Sequence, residues 1–423
     1  MRPPGRPASR RQRLAVVSTG VLASLLLVGA CGAAPSSQVR YVPALSWYVG
    51  PDRLDAAVLA ETCTEQSGRE YTIEVEQLPT DVTERHDELV RRMLAKDDSI
   101  DILSLDSAFT TELAGAGFLA PVPDDQVAAF SEGIAPTALT AATYDGRLAA
   151  VPWFLDPQVL WYRGNTAERA GLDTTKPISW DDLIAGAQRL GVTIQVEDRD
   201  GSGLAEWVSA LTAGAGGALV SGTGRSAKAG LDTDAGREAA SIVELYHDSG
   251  VGPGPSSDAL EAFARSDGGF LIASTSAVAD PALSTIQADL AAAPYPVVGN
   301  ASVAPLAGVA LAVPASAPDQ AASFAAIACL TSPPVLQQLM AGPQHSASRI
   351  GTYDDATVKK AFRTLAVGRA AVTTGATVPA TPYWSLVVDA IDETWLPVDE
   401  VSQDGTPEAS QAEVQAVLEG RLR

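Results

Sequence analysis

Hydrophobic and polar positions along this chain switch repeatedly between a period of about two and one of about 3.6, as strands alternating with helices would. "ALSWYVG" (44–50) reads as a first strand, followed by a helix near Asp52–Ser67 and a second, alternating strand, "YTIEVEQL". "DVTERHDELVRRMLAKDDS" is an amphipathic helix with Leu89, Met93 and Leu94 recurring at helical spacing. "IDILSLD" is a short apolar run closed by Asp106, and "AFTTELAGAGFLAPV" reads as a helix with a stop. Beyond residue 178 the same alternation continues. "SWDDLIAGAQRL" is a helix with Ser179 as its N-cap, and "GVTIQVEDRDGSG" is a strand and polar turn. "LAEWVSALTAGAGGAL" and "DTDAGREAASIVELYHDSG" are helices, and "GGFLIASTSAVADPAL" reads as strand, loop and helix. "LAGVALAVPASA" is a strand, and "PDQAASFAAIACLTSP", "YWSLVVDAIDETW" and the C-terminal segment are helical. This order predicts an α/β fold with a parallel sheet. Ligands of such sheets gather where strands end and helices begin, which is where Asp106 stands.

The segment "AVPWFLDPQVLWYR" (150–163) breaks the pattern by its density of aromatics in a chain that is only 6% aromatic. Strand alternation puts Trp153, Leu155, Pro157 and Val159 on one side, and Phe154, Asp156 and Gln158 on the other. Trp161 and Tyr162 are expected to pack in a core. Asp156 fits a core poorly, because an unpaired buried carboxylate is strongly disfavoured. Pro157 interrupts regular pairing beside it. The segment therefore reads as a pocket wall with Asp156 facing the ligand.

Composition adds limits. A chain of 423 residues, 46% hydrophobic, is long enough for two domains with a large core. Arg2, Arg6, Arg10, Arg11 and Arg13 precede an uncharged, largely apolar stretch from Leu14 to Ala30, the form of an export signal over residues 1–30. "LLLVGAC" matches the bacterial lipobox and makes Cys31 the expected lipidated N-terminus of the mature protein, with residues 31–40 as a short tether. The net charge is −22, and without residues 1–30 there remain 24 basic against 51 acidic residues. Such a surface repels nucleic acid and anionic membranes, so contact with the membrane is expected through the lipid anchor only. Cys63 and Cys329 remain, either paired outside the cytoplasm or buried as independent thiols.

Four segments, in order, resemble the bacterial extracellular solute-binding proteins of the maltose-binding type. They are "IDILSLDSAFTTELAGAGFLAPV", "TYDGRLAAVPWFLDPQVLWYR", "GLDTTKPISWDDLIAGAQRL" and "TVPATPYWSLVVDAI". The resemblance implies a two-lobed periplasmic-binding-protein fold with strands crossing at a hinge and a ligand cleft between the lobes. Residues 41–150 and 300–345 would form lobe one, and residues 151–299 and 346–423 lobe two. It also implies a monomer that carries a sugar to the permease subunits of an ABC importer, with no cofactor. "AETCTEQSGREYTI", "SFAAIACL", "QVLWYR" and "SASRIGTYDD" further resemble actinobacterial trehalose-binding lipoproteins. That likeness implies a Cys63–Cys329 disulfide and places Arg349 at the ligand cleft. One departure stands out: "IASTSAVAD" (272–280) occupies the place of a stacking Trp and an acid.

A disaccharide needs bidentate acceptors for its hydroxyls and aromatic surfaces for its ring faces. Carboxylates suit the first task, because charge-assisted hydrogen bonds are the stronger ones. Asp106 and Asp156 are the expected acceptors, with Trp153, Trp207, Tyr383 and Trp384 as walls and Gly308 allowing close backbone approach. The rival readings are a non-sugar ligand such as a glycerophosphodiester, with Arg349 on its phosphate, and a glycoside hydrolase using Asp106 and Asp156 as an acid/base pair. The resemblance assigns those acids to opposite lobes, against the hydrolase. "DRDGSG" lacks the twelfth-position Glu of a calcium loop, "GTGRSAKAG" has neither P-loop nor dinucleotide spacing, and the three histidines show no zinc motif. No metal and no catalytic residue are expected.

Overall fold

The computed structural model describes residues 41–198, 201–222, 226–265, 268–299 and 301–421. The export signal, Cys31 and the tether lie outside the described residues, as do parts of "DRDGSG" and "GTGRSAKAG". Eight strands carry the architecture: β1 (Ala44–Val49), β2 (Thr72–Gln77), β3 (Ile102–Asp106), β4 (Val151–Arg163), β5 (Thr193–Glu197), β6 (Pro255–Ser256), β7 (Gly268–Ser274) and β8 (Pro305–Pro314). They lie in the order β2–β1–β3–β8–β4–β7–β5–β6. At one end β2, β1 and β3 are parallel, and at the other β7, β5 and β6 are parallel. In between, β8 is antiparallel to β3 and β4, and β4 is antiparallel to β7.

The sheet is thus mixed where the alternation predicted a parallel one. The reason is the route of the chain, which leaves one lobe along β4 and returns along β8 in the opposite direction. Strand β4 also changes partner halfway. Val151 to Pro157 pair with β8, and Gln158 to Tyr162 pair with β7. Pro157, which has no N–H to give, sits at the changeover, where a missing donor does least harm.

The flanking helices α1 (Ala56–Gln66), α2 (Val82–Leu94), α3 (Trp180–Leu190), α4 (Gly203–Gly214), α5 (Asp234–Asp248), α6 (Gln320–Leu330), α8 (Trp384–Trp395) and α9 (Thr406–Leu418) form where the sequence predicts them, while α7 (Pro333–Ala341), which the sequence reading did not predict, opens on a proline at its first turn. Ser179 Oγ accepts from Asp182 N at 3.0 Å and starts α3, and Gly191, left-handed at φ 67°, ends it. The segment after β7, expected to include a helix, makes two short 3-10 turns, Thr275–Ala279 and Pro281–Leu283. Asp280 Oδ1 accepts from Ala282 N and Pro281 opens the second turn, a turn chemistry that stops any longer helix.

One core gathers Leu45, Trp47, Ile102, Trp153, Phe324 and Leu336 around β1 and the start of β4. Tyr353, Val358 and Phe362 pack in this same core although they follow residue 345. A larger one contains Trp180, Trp207, Tyr246, Ile272, Tyr295 and Trp395. Cys63 of α1 and Cys329 of α6 are joined in a disulfide with Cα atoms 5.7 Å apart, inside the normal range for such a bridge. Both helices flank the first core, so the bridge braces one lobe.

Candidate functional site

The changeover in β4 opens onto a cleft. Its first cavity, of about 160 Å³, is lined by Phe154, Asp156 and Gln158 of β4 and by Gly308 of β8. Asp52, Arg53, Arg85 and Asp106 face it from one side, and Glu197, Glu206, Ser274 and Ser276 from the other. A second cavity, of about 140 Å³, is continuous with it through Asp106, Glu206 and Ala307, and adds Phe109, Trp384, Asp389 and Asp392.

The alternation read from the sequence decides which residues of β4 reach this cleft: Phe154, Asp156 and Gln158 do, and Trp153 does not. Asp156 is buried, and neither of its oxygens is idle. Oδ2 meets His345 Nδ1 at 2.6 Å, and Oδ1 accepts from Ser346 N at 3.3 Å. The register explains the meeting. Ser346 and Ala347 bridge antiparallel to Leu155 and Phe154, which sets His345 opposite Asp156. Phe154 stacks on the same imidazole, ring centroids 4.3 Å apart.

Burial alone would pull the His345 pKa down. The charge of Asp156, its hydrogen bond and the charge of Asp52 outweigh that, and the imidazole is held above its ordinary value. Asp52 is raised by burial, with the charge of Asp156 adding to it, against the pull of His345 and of Arg85 and Arg53. Arg85 is itself buried, and its Nη1 donates to the Pro79 and Thr80 carbonyls at 3.0 and 2.9 Å. Arg53 pairs with Asp280 across the cleft, joining the loop after β1 to the turn after β7.

The remaining expected site residues fall into two groups. Asp106 ends β3, caps the following turn by accepting from Ala108 N at 3.0 Å, and lines both cavities. Gly308 is also at the cleft. A Cβ there would come within 2.8 Å of Leu155 Cδ2 and 2.9 Å of Ser107 Oγ, so any larger residue would have to displace those side chains. Trp384, at the start of α8, lines the second cavity.

The other group is held elsewhere. Trp153 is fully buried, donates from Nε1 to the Leu330 carbonyl at 2.9 Å and packs edge-on against Trp47. Trp207 is fully buried between Trp180 and Tyr246, with ring centroids at 5.5 and 5.0 Å. Trp161 is buried, as expected of a core residue, and donates to the Ser274 carbonyl at 3.2 Å. Tyr383 is 38% exposed and lines neither cavity. Arg349 also lines neither. Its guanidinium donates to the Glu132 and Ala129 carbonyls.

His345, Asp52, Arg53, Arg85, Glu197 and Glu206 are among the cleft residues that the sequence did not single out. Gln158 was visible, since it shares the alternation of Asp156. His345 was not, because its partner lies 189 positions away and nothing local marks the bridge that aligns them. Where the resemblance leads one to expect a stacking Trp, the cleft presents Ser274 and Ser276. Among the described residues, Phe154, Phe109 and Trp384 give it its phenyl and indole faces. Among the described residues no group of three His, Cys, Asp or Glu side chains could hold a metal ion.

A mixed sheet crossed out and back by the chain, with a polar cleft at the crossing, is the architecture of the two-lobed binding proteins. The family model for the bacterial extracellular solute-binding proteins matches residues 55–337, and the chain belongs to that family. Its members bind solutes outside the cytoplasm and are not enzymes. Among solved structures the chain is similar to maltose-bound MalE3 of T. maritima, at 23% identity and a TM-score of 0.76, covering 88% of this chain and 99% of that one. The GacH receptor of Streptomyces glaucescens, solved unliganded and with acarbose, is similar at 19% identity and a TM-score of 0.75, over 89% and 99% of the two chains. The sugar-binding protein MalE of Xanthomonas citri gives 18% and 0.75, over 89% and 98%. At these identities the likeness is one of fold.

Proposed function

We propose that this chain captures a sugar, a disaccharide such as trehalose, as the substrate-binding component of an ABC importer. Lipidated Cys31 holds it to the outer face of the cell membrane, and it hands its cargo to the permease subunits as a monomer. The observation that carries this reading is the cleft: hydroxyl-matching side chains from both sides, among them Asp106, Gln158, Glu206 and Ser276, meet at the changeover in β4. Of the similar structures, MalE3 of T. maritima holds maltose and the GacH receptor acarbose, and others hold tagatose or ribitol, all polyhydroxylated. We assign Asp106 and Trp384 to ligand contact. The sugar bridges the two sides and favours the closed form by its differential affinity, and that form docks on the permease. The lobes are residues 41–150 with 300–345, and 151–299 with 346–423, with the stretch through Phe362 packed on the first.

Few aromatic faces line the cleft, so hydrogen bonding rather than stacking dominates recognition. A phosphodiester ligand is the weaker reading, because Arg349, its intended anchor, is engaged with backbone carbonyls away from the cleft. Calorimetric titration of the chain from Ser36 onward against trehalose, maltose, glucose and glycerophosphocholine tests the assignment. Saturable micromolar binding of one disaccharide is expected, and heat from glycerophosphocholine alone would overturn the ligand. Cys31→Ala is expected to release the protein from the membrane fraction into the medium.

A further inference from the structure

The histidine of the cleft is only half used. His345 is 3% exposed, its Nδ1 is committed to Asp156 at 2.6 Å, and its Nε2 has no hydrogen-bond partner among the described residues. Gln158, two positions along the same face of β4 from Asp156, is 7% exposed and has an unpartnered Oε1. A buried polar atom left unpaired costs about 1–3 kcal/mol, so two of them lining a binding cleft mark places where a ligand supplies the missing partner. Gln158 Oε1 is an acceptor, and His345 Nε2, whose ring commits its Nδ1–H to Asp156, is a donor in the charged imidazolium. That pair matches a hydroxyl-bearing ligand, whose oxygens both accept and donate, and serves neither a purely anionic nor a purely cationic one.

We propose that His345 is a ligand-contacting residue, presenting Nε2–H to an oxygen of a neutral polyhydroxylated ligand while Gln158 Oε1 accepts from a hydroxyl of the same molecule. Asp156 is then a positioning residue: it orients the imidazole, keeps its proton on Nδ1 and supports the charged form. This assignment deepens the sugar reading and rests on it. The groups that act on His345 are Asp156 of β4 and Asp52 and Arg53 of the loop after β1; Arg85 of α2 acts on Asp52, and Tyr353 meets the charge of Asp156. Their balance holds the imidazole above its ordinary range. The donor is therefore strongest at low and neutral pH and weakens as pH rises through that raised value.

The test is calorimetry of the chain from Ser36 onward with trehalose and with maltose, from pH 5 to 9. In the wild type, affinity is expected to hold at low pH and fall as His345 deprotonates. His345→Ala is expected to lose about tenfold to a hundredfold, the size of a charge-assisted hydrogen bond. His345→Gln, whose amide can present a donor near the same place, is expected to recover part of that loss and to flatten the pH dependence. Asp156→Asn, measured alongside in case the histidine variants fold poorly, is expected to move the fall in affinity to lower pH, because the imidazole loses its counter-charge. A cleft in which Asp156 only braces the fold would keep the wild-type pH profile in Asp156→Asn, and that result overturns the proposal. If a sugar binds the wild type and His345→Ala equally well, the proposal fails while the sugar reading stands. If neither sugar binds the wild type, both fall together.

Discussion

At the scale of single residues, the chemistry a side chain can offer and the use the fold makes of it differ most at the tryptophans and the acids. Trp153 sits next to cleft-facing Phe154, yet alternation turns it inward, where its N–H is satisfied and its rings are sealed. Trp153→Ala is expected to cost about 3–5 kcal/mol of stability in a denaturant titration. Ligand affinity of the fraction that stays folded should change little. Asp392 illustrates the opposite case. Burial, with Asp198 and Asp389 nearby, raises its pKa to about 6. A carboxyl raised in the folded state contributes stability below its unfolded value near 4 and loses that contribution as pH rises through about 6. Asp392→Asn is therefore expected to raise the melting temperature at pH 7.5 by the equivalent of about 1 kcal/mol, discounted for partial exposure, and to leave it unchanged near pH 4.

At the scale of elements, β4 is the decisive piece. It is buried along both faces except at its last two residues, unlike a strand with one wet side. Its partner change at Pro157 and Gln158 creates the gap that the ligand cleft fills. The disulfide acts on another level. It ties α1 to α6 across 266 residues of sequence, and on the chain-entropy model closing so long a loop is worth roughly 5 kcal/mol at most. Because both helices flank one core, reduction or Cys63→Ser is expected to lower the melting temperature by several degrees while leaving sugar affinity within about twofold. A large loss of affinity on reduction would mean that the bridge also shapes the cleft.

At the scale of the whole molecule, the contacts that span the cleft set how readily it stays shut. The Arg53–Asp280 ion pair is one of them, and its two sides come from the loop after β1 and the turn after β7. Asp280→Asn is expected to favour the open form, seen as an increase in radius of gyration of the ligand-free protein in small-angle scattering. Sugar affinity should fall by a few-fold, with the loss shrinking at high salt as the wild-type pair is itself screened. An unchanged scattering profile would show that this pair does not bias closure. The excess of negative charge over the chain is a property of the entire surface. A surface of that sign is expected to repel nucleic acid, but it does not choose a ligand.

Much of this was written in local pattern. Strand and helix order, the face of β4 that carries Asp156 and Gln158, the cap at Ser179 and the acid at the end of β3 follow from periods and short-range chemistry. Such features depend on neighbours only a few residues apart, and those neighbours are present in the sequence itself. The family's motifs brought the two-lobed fold and the cysteine pair within reach in the same way. The antiparallel centre of the sheet, the engagement of Arg349 by carbonyls of residues 129 and 132, and the burial of Trp207 were decided by the tertiary structure. So was the pairing of Asp156 with His345. Each depends on segments far apart in sequence being brought together by the crossing strands, and the free energy of that meeting belongs to the packed whole rather than to any stretch of chain.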